Sequence, residues 1–259
     1  MGIRERYTPG TPSWCDLSTS DQDGAKQFYA ALFGWEVEDN PVDETTVYSM
    51  MRLDGAYAGA ISSQPAQQRD AGVPPMWNTY ITVDSADGAL ARAAELGGTV
   101  HAGPFEVMDA GRMGIVQDPF GAFFEVWEPR EHIGAGVVNA PGAFSWCELV
   151  TPGIEAATEF YRELFGWKVT PFEGMSIPYS ILATADGHTI GGVRPSTEAE
   201  PPHWLVYFGC GAIEPAVARV EELGGRSLSG PHDIGVGKLA TVADPQGAVF
   251  ALYDGRFDD

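Results

Sequence analysis

Apolar and polar residues alternate in several short segments of the chain, which is the pattern of half-buried β-strands. Two further segments carry apolar residues at helical spacing. In the first half, the predicted elements in chain order are a strand at 13–19, a helix at 21–33, strands at 47–53, 56–61 and 77–83, a helix at 85–96, and strands at 111–116 and 122–127. The pattern predicts a repeated unit of one strand, one helix and about three strands, which is a βαβββ unit of the α+β class.

The second half of the chain repeats the first at an offset of 132 residues. Aligned without gaps, residues 13–37 and 145–169 share 13 identities in 25 positions, where unrelated sequences of ordinary composition would share roughly one or two. The Asp-Pro-x-Gly turn at 118–121 returns at 244–247. Each half also echoes itself, so the chain reads as four copies of the βαβββ unit. A period this long indicates domain duplication.

The duplication predicts two domains joined by a connection rich in glycine. We predict a first domain at 9–130, a linker at 131–141 and a second domain at 142–256. The linker carries Gly134 and Gly136 and shows no clear periodicity. The length of 259 residues agrees with two domains, because it exceeds that of a typical single domain.

The charge balance argues against several classes of partner. The chain has 36 acidic and 15 basic side chains and a net charge of −21, so it should repel nucleic-acid phosphates and anionic membrane surfaces. No apolar run approaches the roughly 18 residues of a membrane helix, and the first residues do not resemble a secretory signal. Three cysteines without metal-site spacing are typical of reduced thiols. We expect a cytoplasmic monomer or homodimer.

Four motifs of the first half, three of which recur in full in the second, together resemble those of a known superfamily. They are Thr19-x-Asp21, Phe28-Tyr29-x-x-Leu32-Phe33-Gly34-Trp35, Leu96-Gly97-Gly98 and Asp118-Pro119-x-Gly121. The set resembles the vicinal oxygen chelate superfamily, which includes glyoxalase I, extradiol dioxygenases and bleomycin resistance proteins. The chain looks like a member of the two-domain actinobacterial branch, which is often labelled glyoxalase-like or hydroxylase-like. The resemblance implies two paired βαβββ modules per domain, curving around a cavity, and says less about the reaction.

The resemblance also implies where a metal would be bound. In metal-dependent members three strands of one domain supply the ligands, typically two His and one carboxylate. Carried over to the first domain, these positions fall on Trp14, Asn78 and Glu125. The equivalent positions of the second domain are Trp146, Leu205 and Ala251. Only Glu125 suits a transition metal, so we expect no cofactor, with a divalent metal on non-standard ligands as the alternative.

Strand alternation predicts which side chains face the two cavities. Asp16, Glu125 and Glu148 are the inward acids and the candidate catalytic groups, because apolar surroundings raise the pKa of a carboxyl. The candidate ligand-binding residues are Trp14, Asn78, Tyr80, Trp127, Trp146, His203, Tyr207 and Tyr253. An aromatic pocket with a few polar groups is typical of a small-molecule site. The alternatives are that the two inward tryptophans fill space, and that Asp16 and Glu148 form ion pairs or accept hydrogen bonds from the backbone.

For several other charged or polar residues, the sequence gives weaker indications of a role. Arg112 and Lys238 occupy matched positions, which indicates a structural ion pair, for instance with the inward acids, or an anchor for an anion. His203 opens a strand, so plain exposure at a cavity mouth is its alternative. The remaining histidines share no spacing and receive no role: His101, His132, His188 and His232.

Three functions remain open at this point. The first is a metal-free enzyme acting on a small metabolite through Asp16, Glu125 or Glu148. The second is a protein that sequesters an aromatic or hydrophobic compound, as bleomycin resistance proteins do. The third is a metal-dependent glyoxalase, which is a lyase, or a dioxygenase or hydroxylase with non-standard ligands. The inward residues favour the first two, and the ligand and the cavity in use stay undetermined.

Overall fold

A computed structural model describes residues 2–173, 175 and 177–256. The strands of the first half are β1 (Gly2–Ile3), β2 (Pro12–Thr19), β3 (Glu36–Pro41), β4 (Val47–Leu53), β5 (Ala56–Ser63), β6 (Met76–Thr82), β7 (Thr99–Val107), β8 (Gly111–Gln117) and β9 (Phe123–Pro129). The helices of the first half are α1 (Gln22–Phe33), α2 (Ala66–Asp70) and α3 (Ala86–Glu95). The predicted strands and helices of this half are therefore confirmed, and β3 and β7 complete the units.

The second half repeats the succession of two βαβββ modules, with no counterpart of α2 among its described residues. Its strands are β10 (Val137–Val138), β11 (Phe144–Thr151), β12 (Lys168–Pro171), β13 (Ser180–Ala183), β14 (Thr189–Pro195), β15 (His203–Gly209), β16 (Arg226–Asp233), β17 (Lys238–Ala243) and β18 (Val249–Tyr253). Its helices are α4 (Ile154–Phe165) and α5 (Ile213–Glu222). In the part of the chain that the structure describes, none of the helices is long and apolar enough to cross a membrane.

Each domain is one sheet in which two βαβββ modules pair through their first strands. In the first domain the strand order is β3-β4-β5-β2-β6-β9-β8-β7, with β2 and β6 antiparallel at the centre. Within a module the first strand pairs in parallel with the last, as β2 does with β5 and β6 with β9. The second domain repeats this order as β12-β13-β14-β11-β15-β18-β17-β16. The predicted α+β fold of four βαβββ modules is confirmed.

The repeated sequence motifs mark the ends of the two long helices. The carboxylate of Asp21 accepts a hydrogen bond from the Gly24 backbone N–H at 3.0 Å and caps the start of α1. Gly34 ends α1 in the left-handed region with φ of +74°, and Gly166 ends α4 with φ of +73°. Glycine adopts this conformation without a steric penalty. The Leu-Phe-Gly-Trp motif therefore determines where each helix turns back into its sheet.

Helices α1 and α4 lie between the two sheets, and their aromatic residues contact both domains. The ring centroid of Tyr29 on α1 is 5.2 Å from that of Trp77 in its own sheet and 5.5 Å from that of Phe250 in the other. The equivalent contacts of α4 join Tyr161, Trp204 and Phe124. A continuous apolar core therefore spans both domains, and the buried free thiols of Cys15 and Cys147 belong to it.

The same tyrosines form reciprocal hydrogen bonds across the interface between domains. The Tyr29 hydroxyl donates to Asp244 at 3.1 Å, and the Tyr161 hydroxyl donates to Asp118 at 3.0 Å. Both aspartates open the Asp-Pro-x-Gly turns and also accept hydrogen bonds from backbone N–H groups of their own turn. The Phe-Tyr motif of each helix thus contacts the Asp-Pro-x-Gly turn of the other domain, so two motifs that repeat in the sequence meet at the interface.

The segment predicted as a linker is structured and paired. Its strand β10 pairs antiparallel with β1 and parallel with β11. The Ala135 N–H donates to the Ser13 carbonyl and the Gly136 N–H donates to the Tyr57 carbonyl, each at 2.8 Å. The linker therefore runs across the first domain and is attached to it by backbone hydrogen bonds.

Replacing Tyr29 with Phe should weaken the interface between the domains. The Trp77 indole N–H donates to the Tyr29 oxygen at 3.0 Å, so the change removes a partner from that indole and from Asp244. We expect the free energy of unfolding, measured with urea, to fall by about 1–3 kcal/mol. Tyr161→Phe is the matched variant and should have a similar effect. If neither variant changes the free energy of unfolding, the two hydrogen bonds between the domains do not stabilise the fold.

Candidate functional site

Polar and aromatic side chains gather on the face of the first sheet that is turned away from α1. Trp77 on β6 contacts Tyr29 of α1, so alternation directs Asn78 and Tyr80 to the opposite face. We name this group the first cluster, and it consists of Trp14, Asp16, Tyr48, Asn78, Tyr80, Glu125, Trp127 and His132. Six of these residues were predicted to face the cavity, whereas Tyr48 and His132 were not identified from the sequence.

Asp16 is buried at the centre of the first cluster and accepts three hydrogen bonds from neutral side chains. The donors are the Tyr48 hydroxyl at 3.0 Å, the Asn78 amide at 2.8 Å and the Tyr80 hydroxyl at 2.8 Å. Burial raises the pKa of Asp16, and the three donors oppose that shift because they stabilise the anion. Neither an ion pair nor a backbone hydrogen bond holds this carboxylate among the described contacts.

Glu125 lies beside Asp16 but has a different environment. It stands opposite Tyr80 in the parallel register of β6 and β9. Its side chain is 5% exposed, and its Oε2 atom has no hydrogen-bond partner in the described part of the chain. Burial, together with the nearby Asp16 carboxylate, raises the pKa of Glu125 well above its usual value. Of the two carboxyl groups, Glu125 therefore has the environment that more strongly favours the protonated form, whereas the three donors around Asp16 favour its anion.

His132 joins the first cluster from the linker. Its imidazole centroid is 4.6 Å from the Trp14 ring, 5.8 Å from Tyr57 and 5.8 Å from Trp127. The Trp127 indole donates to the His132 carbonyl oxygen at 2.8 Å. Burial lowers the pKa of His132 to about 4, so the ring is neutral at pH 7. No spacing in the sequence indicates this position, because the residue lies in the linker and has no counterpart in the repeat.

The second domain contains an equivalent group with a different balance of charge. We name it the second cluster, and it consists of Trp146, Glu148, Tyr179, Arg194, Glu200, His203, Leu205, Tyr207, Ala251 and Tyr253. The Arg194 guanidinium donates to Glu148 at 2.7 Å and to both carboxylate oxygens of Glu200 at 2.7 and 2.8 Å. The alternative of an internal ion pair is therefore correct for Glu148, and its partner Arg194 was not identified from the sequence.

The other residues of the second cluster that were predicted to bind a ligand are Trp146, His203, Tyr207 and Tyr253. The Trp146 indole donates to the Tyr179 hydroxyl at 3.2 Å, and burial beside Glu148 raises the pKa of Tyr207 well above its usual value. The Tyr253 ring packs against the cluster while its hydroxyl donates to the Val236 carbonyl at 3.0 Å. His203 stands at the edge, where its Nδ1 is 2.8 Å from the Pro201 carbonyl.

A comparison of the two clusters separates what the fold requires from what is specific to one domain. Both clusters contain an indole that donates to a tyrosine beside a buried acid, with a second tyrosine on the adjacent strand. By strand register, Leu205 replaces Asn78 and Ala251 replaces Glu125. The fold therefore accepts alanine where the first domain buries Glu125. Because a buried carboxyl oxygen without a hydrogen-bond partner is destabilising, the first cluster, which contains Glu125, is the candidate site.

The matched cations Arg112 and Lys238 do not reach either cluster. Arg112 pairs with the surface acids Asp87 and Glu106, and Lys238 pairs with Glu214 at 2.5 Å. The suggestion that they pair with the inward acids is therefore wrong. Each cation instead holds an acid in the first turn of the helix in its own module, α3 or α5.

At two of the three positions implied for metal ligands in the first domain, the side chains do not suit a transition metal. The Trp14 indole donates to the Tyr48 hydroxyl at 3.0 Å, and the Asn78 amide donates to Asp16. Neither group offers the donor atom that a transition metal requires. Among the described residues, no three His, Cys, Asp or Glu side chains are grouped so that they could hold a metal ion.

Comparison with known proteins shows which family has this architecture. The description Glyoxalase/Bleomycin resistance protein/Dioxygenase superfamily matches residues 11–126 and 143–252. CFP32 of Mycobacterium tuberculosis, whose name includes the word glyoxylase, is 39% identical over 255 residues, covering 97% of both chains. The anthracycline biosynthesis protein DnrV of Streptomyces peucetius is 32% identical over 270 residues, covering 97% of this chain and 95% of its own.

Solved structures share the fold at low sequence identity. The Mn(II)-bound glyoxalase from Novosphingobium aromaticivorans is 17% identical, with a TM-score of 0.66 over 97% of this chain and 84% of its own. The 2,3-dioxygenase LapB from Pseudomonas sp. KL28 is 15% identical, with a TM-score of 0.65 over 97% of this chain and 94% of its own. These similarities concern the fold alone.

Glu125→Gln should change how stability depends on pH. A carboxyl whose pKa is raised on folding stabilises the protein fully below its unfolded pKa, near 4.5, and that contribution is lost as pH rises. Glutamine does not titrate, so the variant should gain stability relative to the parent as pH rises. We expect its unfolding free energy minus that of the parent to increase by at least about 1.4 kcal/mol from pH 5 to pH 8. Urea unfolding at both pH values measures it.

The exposed strand residue Glu36 provides the control for this experiment, since Glu36→Gln removes one negative charge outside the cluster. A difference for Glu125→Gln that is the same at both pH values would contradict the assigned environment of Glu125.

Arg194→Met should strongly destabilise the second domain. Glu148 is 4% exposed, and without the guanidinium its charge would remain buried and uncompensated. We expect a loss of about 3–5 kcal/mol in the free energy of unfolding, measured with urea. The double variant Arg194→Met/Glu148→Gln should recover most of that loss. Equal stability of the single and double variants would contradict the ion pair.

Proposed function

The chain belongs to the Glyoxalase/Bleomycin resistance protein/Dioxygenase superfamily, and from this premise we propose that its first cluster binds a small aromatic or hydrophobic metabolite without a bound metal. The observation that carries the proposal is the buried Glu125 carboxyl, whose Oε2 lacks a partner among the described residues. Such a group can donate its proton to, or accept one from, a polar atom of a ligand. The equivalent Ala251 shows that the fold does not need a carboxyl there.

The rings around Glu125 favour an aromatic ligand. Trp14, Tyr80 and Trp127 are each less than a tenth exposed and surround the acid with apolar surface. Aromatic side chains contribute large apolar areas and prefer stacked or edge-to-face contacts with other rings. These rings pack against one another and against His132. We therefore expect a ligand to displace one of these rings.

The names of two related proteins bear on the class of ligand. DnrV is named for anthracycline biosynthesis, and an anthracycline is by chemical class an oxygenated, fused-ring aromatic compound. CFP32 is named as a glyoxylase. For this chain, both names agree with a small oxygen-bearing molecule as the ligand.

The pair formed by Asp16 and Glu125 favours acid–base catalysis as a second candidate function. Asp16 has three donors that stabilise its anion, whereas Glu125 has an environment that retains a proton. Two carboxyl groups with such different surroundings can act as base and acid on one bound molecule. Glu125 would give its proton to a carbonyl oxygen of the ligand, and Asp16 would take a proton from a neighbouring carbon or hydroxyl.

Binding of 2-naphthol, a small fused-ring phenol, tests the proposed site by titration calorimetry. We expect the parent protein to bind it with a Kd below 1 mM, which corresponds to about 4 kcal/mol. Glu125→Ala, which introduces the residue of the second domain, should weaken binding at least tenfold. Trp146→Leu in the second cluster is the control and should leave the affinity unchanged. Absence of binding, or an effect of Trp146→Leu alone, would overturn the proposal.

Glu125→Gln separates sequestration from catalysis, because glutamine keeps the shape but cannot release a proton. Its affinity for 2-naphthol should stay within a few-fold of the parent. In a glyoxalase assay, activity that is lost in Glu125→Gln and unaffected by a chelator supports acid–base catalysis. Absence of activity in the parent supports sequestration. Stoichiometric Ni, Zn, Fe or Mn in the purified protein would favour the metal-dependent alternative.

A further inference from the structure

The imidazole ring of the linker residue His132 lies against the candidate site, and one of its ring nitrogens makes no hydrogen bond among the described residues. His132 contacts the rings of Trp14, Tyr57 and Trp127. Its Nε2 atom is buried and, within residues 2–173, 175 and 177–256, has no hydrogen-bond partner. Buried polar atoms in folded proteins are nearly always paired. An unpaired imidazole nitrogen inside an aromatic group therefore needs an explanation other than stability.

The position of His132 does not depend on its side chain. Its carbonyl oxygen accepts from the Trp127 indole at 2.8 Å. Immediately downstream, the Tyr7 hydroxyl donates to the Ala135 carbonyl at 2.7 Å, and the Ala135 N–H donates to the Ser13 carbonyl at 2.8 Å. These bonds involve only the backbone of the linker. An apolar side chain at residue 132 would be held in the same place without burying an unpaired nitrogen.

Two unsatisfied polar atoms therefore belong to the same aromatic group. Glu125 and Trp127 are two residues apart on β9 and share one face of the sheet. The Trp127 ring in turn contacts the His132 ring, so Oε2 of Glu125 and Nε2 of His132 both line the first cluster. One ligand that carries oxygen at two places on a flat ring system can satisfy both atoms.

We propose that His132 is a ligand-binding residue and that the first cluster takes an oxygenated planar aromatic compound of the phenol or quinone class, held between Glu125 and His132. This inference rests on the proposed function. A neutral imidazole accepts a hydrogen bond from a phenolic hydroxyl through its bare nitrogen, or donates to a quinone carbonyl in its other tautomer. The aromatic rings select a flat molecule, and the two polar atoms select oxygen on its rim.

A matched pair of probes tests the preference for oxygen. 2-Naphthol and 2-methylnaphthalene have nearly the same size and differ by a hydroxyl, so their affinities isolate the polar contact. We expect the parent protein to bind 2-naphthol at least tenfold more tightly than 2-methylnaphthalene. His132→Phe keeps a ring and removes the polar edge, so it should reduce this preference at least fivefold. Its melting temperature should stay equal or rise, because an unpaired buried atom has been removed.

Three further variants keep the test decisive. His132→Gln places an amide near the position of Nε2 and should bind 2-naphthol within threefold of the parent. His132→Asn retains a polar atom only near Nδ1 and should lose affinity, which covers the case in which His132→Phe does not fold. His101→Phe is the control, since this imidazole also contacts a ring, that of Phe123, but lies outside the cluster and is hydrogen-bonded to Gln117.

The outcomes distinguish this inference from the proposed function. If the parent binds neither probe, the proposed function fails. If the parent binds 2-naphthol and Glu125→Ala weakens binding, but His132→Phe and His132→Asn both retain the preference for the hydroxyl, only the role of His132 is overturned. An equal loss in His101→Phe would also overturn it.

Discussion

The hydrogen bond from a helix tyrosine of one domain to a turn aspartate of the other is the interaction on which the rest of the structure depends. Tyr29 and Tyr161 make this bond in opposite directions, each within a group of aromatic rings. Because helices α1 and α4 fill the space between the sheets, each sheet packs its helix-facing side into a shared core. The opposite sides are left for the two clusters, so the interface determines where a binding site can form.

The two clusters show two solutions to the same electrostatic problem. Each sheet buries a carboxylate at its centre, and a buried charge is unfavourable unless it is paired. The second domain pairs Glu148 with Arg194, whose guanidinium also holds Glu200. The first domain stabilises Asp16 with neutral donors only and places Glu125 beside it. Both copies keep this framework, and the first places a buried carboxyl oxygen that has no partner among the described residues where the second has Ala251.

The superfamily fold is compatible with different chemistries because the site consists of a few side chains on a conserved sheet. At the positions where metal-dependent members place their ligands, this chain has an indole and an amide that donate hydrogen bonds, and a single carboxyl. The curved sheet still encloses a group of inward side chains, but their properties are those of an aromatic site with acids. The resemblance in fold therefore defines the location of the site, while its residues determine what it can bind.

The sequence by itself determined the duplication, the βαβββ units and the inward direction of Asp16, Glu125 and Glu148, because strand alternation and helical periodicity are local properties. It left Asp16 with several possible partners, since these come from strands β4 and β6, far along the chain. Only the tertiary structure decided that Arg194 neutralises Glu148 and that His132 reaches the first cluster. Those contacts join segments with no common period, and they follow from how the strands and the linker pack.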